Sequence, residues 1–133
     1  MDHDTFIGTV QQRADLASRG AADSATRATL TTLGERITEN EAEDIAAQLP
    51  MEVGRYLTDV EEHAQQFDAD EFAERVAEQT EADDVEDAPT ATARSVVGVA
   101  VEATGTGLIQ DVVSQLPQDE GYGDLLATAD QSA

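Results

Sequence analysis

Cysteine is missing from the 133 residues, which excludes a disulfide scaffold, a thiol nucleophile and a cysteine-bound metal. The fold must rest on packing. Tryptophan is missing too, and only three Phe and two Tyr are present, so the core has to be built from alanine and small aliphatic side chains. No apolar run approaches the roughly 18 residues that cross a bilayer, and Met1-Asp2-His3-Asp4 is the reverse of a basic signal segment. The expectation is a soluble cytoplasmic protein without a membrane partner. Lysine is the most telling absence: all seven basic residues are Arg, set against 29 Asp and Glu for a net charge of −22. Seven scattered arginines make no basic face, which argues against direct binding of nucleic acid.

The same balance has a positive meaning. Chains adapted to molar salt tend to replace lysine by arginine and carboxylates. At 1 M salt the Debye length falls to about 3 Å, so self-repulsion that would loosen such a chain in dilute buffer is screened in brine. A rival reading is an acidic mimic of the nucleic-acid backbone, which would need carboxylates in rows at phosphate-like spacing.

What is present is repetition. Asp44-Ile45-Ala46-Ala47-Gln48-Leu49-Pro50 returns 67 residues later as Asp111-Val112-Val113-Ser114-Gln115-Leu116-Pro117. Asp4, Phe6 and Val10 match Asp70, Phe72 and Val76 at an offset of 66, and Arg27, Leu30 and Glu35 match Arg94, Val97 and Glu102 at 67. Tyr56 and Tyr122 follow the two Gln-Leu-Pro elements, so four of the five aromatic residues fall on paired positions. Aromatic side chains dominate core energetics, and their pairing implies two equivalent core sites. The reading is one all-α domain over residues 1–133, with about eight short helices as two related four-helix units around a pseudo-twofold axis. Repeat 1 spans about 4–57 and repeat 2 about 70–126.

Helical spacing supports this. Phe6, Val10, Ala14 and Ala17 share one face of a first helix that Asp4 caps, ending at Ser18-Arg19-Gly20. Thr26, Leu30, Leu33 and Ile37 line a second helix from about Asp23. Thr38 with Glu41 forms a capping box for a third, carrying Ala42, Ile45, Ala46 and Leu49. Pro50 disfavours helical geometry in the residue before it and suits the start of another helix, so Leu49-Pro50 is a corner leading to Met51, Val53 and Leu57. In the second half Asp68 caps a helix carrying Phe72 and Val76, and residues 81–89 read as an acidic linker, too charged to bury. Thr90 caps a helix with Ala93, Val97 and Ala100; Thr106 caps one with Ile109, Val112, Val113 and Leu116; Pro117 turns the last corner.

The candidate site residues come from this repeat. Gln48 and Gln115 form a recognition pair on one reading, and satisfy helix-end carbonyls on the other, with Leu49 and Leu116 filling the core and Pro50 and Pro117 setting corners. Arg27 with Asp44, and Arg94 with Asp111, suggest an ion pair between the second and third helices of each unit, or else an arginine pair for a ligand. Asp59 and His63, at i and i+4, supply too few ligands for a metal, and no metal or other cofactor is expected. Thr104-Gly105-Thr106-Gly107 lacks the strand and lysine of a phosphate loop and reads as a turn. No nucleophile elbow appears, so no catalytic residue is assigned.

Thr26-Arg27-Ala28, Leu33-Gly34-Glu35-Arg36-Ile37, Glu41-Ala42, Ala46-Ala47-Gln48-Leu49-Pro50, Phe67-Asp68 and Glu71-Phe72 together resemble domain-of-unknown-function family 2267. The resemblance covers about residues 4 to 126. It implies a small prokaryotic all-α protein of two similar halves, here similar to a haloarchaeal member, and brings no activity with it. The expected role is a non-catalytic interaction or stress-associated module that binds a protein partner or itself. The alternative is a small-molecule-binding protein or undeclared hydrolase using a cleft between the repeats.

Overall fold

The computed structural model describes residues 1–80, 82–105, 107–114, 116 and 122. Among them lie eight helices and no strand: α1 (His3–Arg13), α2 (Arg19–Arg36), α3 (Glu39–Ala46), α4 (Met51–Thr58), α5 (Ala69–Gln79), α6 (Asp83–Asp87), α7 (Pro89–Thr104) and α8 (Leu108–Ser114). The chain is all-α. Gln115, Pro117 and Thr106, with the corner and cap expected of the last two, lie outside the described residues.

α2 runs through the centre because it is built from Ala, Thr and Gly, which let neighbours approach on most sides. Eleven of its eighteen residues are buried, and α1, α4, α5 and α7 all pack against it. Two of its three buried threonine hydroxyls turn back onto the helix: Thr26 and Thr32 Oγ1 donate to the carbonyls of Ala22 and Ala28, each at 2.8 Å, while the buried Thr29 hydroxyl has no partner among the described residues. Such bonds remove the cost of a polar group in an apolar interior. α1 and α5 each bridge α2 and α7. Phe6, Val10, Phe72, Val76, Leu30, Leu33, Val96 and Val97 fill the space between.

α1 and α5 have the same length, 66 residues apart, with the same cap: the Asp2 carboxylate accepts from the Thr5 amide and the Asp68 carboxylate from the Glu71 amide. Thr38 and Glu41 form the capping box in full. Pro50 stands at the N-cap of α4. The close α2–α4 and α3–α4 crossings depend on two glycines. A Cβ at Gly34 would land on the Leu57 carbonyl, and one at Gly54 would come to 2.8 Å from the Ala46 oxygen.

Several boundaries differ from the sequence reading. α1 is capped by Asp2, not Asp4, and stops at Arg13, because Asp15 takes a left-handed conformation (φ 53°). The Leu16 and Asp15 amides then bond back to the Gln11 and Gln12 carbonyls, the pattern that closes a helix C-terminus. Ser18 therefore caps α2, accepting from Ala21 at 3.0 Å, and Ala17 is exposed. The acidic stretch 81–89 contains a helix, α6, whose Val85 is fully buried while its carboxylates stay outside. Asp84 also accepts from the Ala17 amide at 2.9 Å, tying this stretch to the start of α2. α7 begins at Pro89, whose fixed φ suits a first helical position, so Thr90 lies inside the helix. Met51 is 76% exposed rather than inward. Tyr56 and Tyr122 are not equivalent: Tyr122 is fully buried, whereas Tyr56 is half-buried, its hydroxyl 3.4 Å from Asp23.

Candidate functional site

The Gln-Leu-Pro corner divides its residues between inside and outside. Leu49 is buried and Pro50 starts α4, while Ala47, Gln48 and Met51 are exposed. Leu116 is buried as well, 7% exposed against 8% for Leu49. Both leucines are core anchors.

The ion pair expected between Arg27 and Asp44 does not form. Arg27 lies on the open stripe of α2 with Asp23, close enough to Tyr56 to act on its hydroxyl, and Asp44 is exposed on the outer side of α3. The reason is topological: α4, not α3, packs extensively on α2. Arg94 is half-buried on α7 and Asp111 exposed on α8. The Tyr56 hydroxyl is held above its ordinary pKa, first by partial burial and then by the Asp23 carboxylate, with Arg27 and Arg55 opposing.

His63 does not share a helix face with Asp59, because α4 ends at Thr58. The segment after it folds over the C-terminus of α2 and satisfies its carbonyls. His63 Nδ1 lies 2.8 Å from the Gly34 oxygen, and the Gln65 and Ala64 amides donate to Glu35 and Ile37, both at 2.8 Å. Ala64 adopts a positive φ of 58° to do so. Among the described residues no group of three or more His, Asp or Glu is arranged to hold a metal. None of their helices is long and apolar enough to cross a membrane.

This segment leads to a cluster that the sequence did not announce. The Phe67 carbonyl accepts from Arg36 Nε at 3.2 Å and from the Tyr122 hydroxyl. The Arg36 guanidinium lies 5.3 Å from the Tyr122 ring centroid, and Phe72 meets Tyr122 edge-on at 6.2 Å. Arg75 stacks 3.8 Å over Phe67 while bonding Glu71, Glu35 and Gln65. Burial alone would lower the Arg75 pKa, but the Glu71 and Glu35 carboxylates outweigh it and hold the guanidinium above its usual value. Beside this cluster opens a cleft of about 210 Å³, floored by Arg36 and walled by Ile37, Val112 and Leu116, with Glu41 and Gln66 also lining it. It lies between residues of the first half and α8 of the second. It contains neither Arg27 nor Arg94.

Periodicity could not single out Arg36, because it falls among the buried positions of α2, where an aliphatic residue is the default. The cleft sets two groups of opposite charge, Arg36 and Glu41, beside the apolar Ile37, Val112 and Leu116, a combination of polar and apolar lining found in small-ligand pockets. Among the comparisons with known proteins, the family described as "Uncharacterized conserved protein (DUF2267)" matches residues 3–123. No curated protein matches the chain.

Proposed function

The chain belongs to the DUF2267 family, whose description assigns no activity, and within it we propose a non-catalytic helical interaction module of the cytoplasm, adapted to high salt. The observation that carries this reading is the α3–α4 corner. Its inner residue, Leu49, is committed to the core, while Gln48, in the turn between α3 and α4, and the 76%-exposed Met51, at the start of α4, are exposed. A polar donor–acceptor beside a flexible thioether suits recognition of a partner surface. The test is capture of binding partners on immobilised full-length chain in molar potassium chloride, wild type against the Gln48→Ala/Met51→Ala double variant. A partner, or the chain itself, held by the wild type and lost with the corner supports the module; capture of nothing by the wild type removes it.

The salt adaptation draws support from the surface. Every one of the eight helices carries an exposed carboxylate, a distribution that suits solvation in brine better than a phosphate-like row. Arg13, Arg19, Arg55 and Arg75 are engaged with carboxylates, as expected where arginine serves to fasten acidic elements.

A second reading, a small-molecule site between the two repeats, rests on the Arg36 cleft alone. Titrating acetate in molar potassium chloride while following backbone amide resonances tests it. Saturable shifts at Arg36, Gln66 and Val112 would favour the site, and uniform drift would discard it.

A further inference from the structure

Residues 59–68 join α4 to α5 without a helix of their own. Between the buried Leu57 and Phe67 not one side chain is buried. What holds this strap is polar and runs to the C-terminal end of α2: the Ala64 and Gln65 amides donate to the Ile37 and Glu35 carbonyls, and His63 Nδ1 donates to that of Gly34. Arg75 adds a bond to the Gln65 side-chain oxygen at 3.0 Å. Bonds of this kind contribute little net, because water takes them over when the segment lifts. One residue works against closure. Ala64 stands at φ 58°, in the left-handed region where its Cβ crowds the following carbonyl and where glycine would carry no such penalty. The ends, by contrast, are firm. Leu57 is in the core, and Phe67 is gripped on two sides, its ring under Arg75 and its carbonyl held by Arg36 and Tyr122. A segment with fixed ends and a middle held by a few exposed bonds opens locally while the rest stays folded.

The middle of the strap is also a wall of the Arg36 cleft, which Ala64 and Gln66 line opposite Val112 and Leu116. The other lining residues are anchored. Val112, Leu116 and Ile37 are buried, and Thr38 and Glu41 are locked in the α3 capping box. With the strap down the floor is nearly out of reach, Arg36 being 8% and Ile37 2% exposed. We propose that residues 59–66 are a gate on this cleft: they lift as one unit between Leu57 and Phe67, bare Ile37 and the cleft floor, and close again over a small ligand that has entered. The proposal rests on the small-molecule reading of the cleft and adds the route by which it is filled.

Amide hydrogen exchange of the full chain in molar potassium chloride, followed by nuclear magnetic resonance, tests the lifting. The Ala64 and Gln65 amides are expected to share one protection factor, at least about a hundredfold below that of Leu30 in the middle of α2. Gln65→Ala, which removes the bond to Arg75, should lower the protection at both positions about threefold or more. Ala64→Gly, which relieves the left-handed backbone, should raise it about two- to fivefold. Leu30 should not respond to either. Entry to the cleft is read by Val112→Cys, which places the chain's only thiol in the opposite wall. Its labelling by iodoacetamide should quicken with Gln65→Ala and slow with Ala64→Gly, a response that a merely structural strap would not give. Strap amides as protected as Leu30, or labelling indifferent to both strap variants, overturns the gate whatever acetate does. If exchange and labelling respond as expected while acetate gives only uniform drift, the gate stands and the acetate site falls.

Discussion

Two single residues show how closely this small-grained core is fitted. Gly34 lets α2 meet the backbone of α4, and a methyl group there would collide with the Leu57 carbonyl, which belongs to backbone and cannot swing away. Gly34→Ala should therefore cost about 2–3 kcal/mol, despite alanine's better helix propensity, as measured by denaturant unfolding in molar salt. Tyr56 reports on the open side of α2. Its pKa is raised by partial burial and by Asp23, so the fold favours the protonated phenol. Its contribution to stability is intact below about pH 10, the ordinary tyrosine value, and is lost as pH rises through the raised pKa. In a Tyr122→Phe background, where Tyr56 is the only tyrosine, Asp23→Asn should bring its ultraviolet titration down towards the ordinary range. An unchanged titration would mean that Asp23 does not act on it. At this scale the sequence was readable where a residue had one role, as with Leu49, buried as its place in the repeat implied. It was unreadable where burial depended on a distant contact, as with Arg36 under Phe67 and Tyr122.

Elements were legible where local chemistry decides. A hydroxyl or carboxylate three residues before a glutamate stops the chain from fraying whatever else surrounds it, and so Thr38 with Glu41 and Asp68 with Glu71 mark the starts of α3 and α5. Thr38→Ala should cost about 1 kcal/mol, because the Glu41 amide loses its acceptor and Glu41 keeps only the Thr38 amide. Thr38→Ser, which retains the oxygen, should recover most of it, and equal losses in the two variants would show that the cap matters little. Ends set by backbone conformation were hidden. Asp15 closes α1 in a left-handed turn that glycine usually supplies, and nothing in Gln12-Arg13-Ala14-Asp15 signals it. α6 was hidden for another reason: among Asp83, Asp84, Glu86 and Asp87 a single Val85 reaches the core, and one apolar residue makes no period. Val85→Ala is expected to loosen the packing of α6 on α5 and α7, seen as faster amide exchange through 82–88 with α3 unaffected; equal acceleration everywhere would contradict a local anchor.

For the whole molecule, the duplicated pattern foresaw the all-α class and the shared plan of α1 and α5, while the net charge of −22 is what the proposed adaptation to high salt rests on. Helices that each carry exposed carboxylates repel one another in dilute buffer, and an exposed pair such as Arg19–Asp4 adds little against that. Packing of alanine, valine and threonine contributes less area per residue than a core rich in large aromatics, so this fold has little reserve against repulsion. The most direct measurement is a salt titration of helicity and thermal stability by circular dichroism, from dilute buffer to beyond about 1 M potassium chloride, where screening falls to about 3 Å. The account predicts a partly unfolded chain at low salt that gains helix and melting temperature as carboxylate repulsion is screened. Full helicity with an unchanged melting temperature at low ionic strength would contradict it.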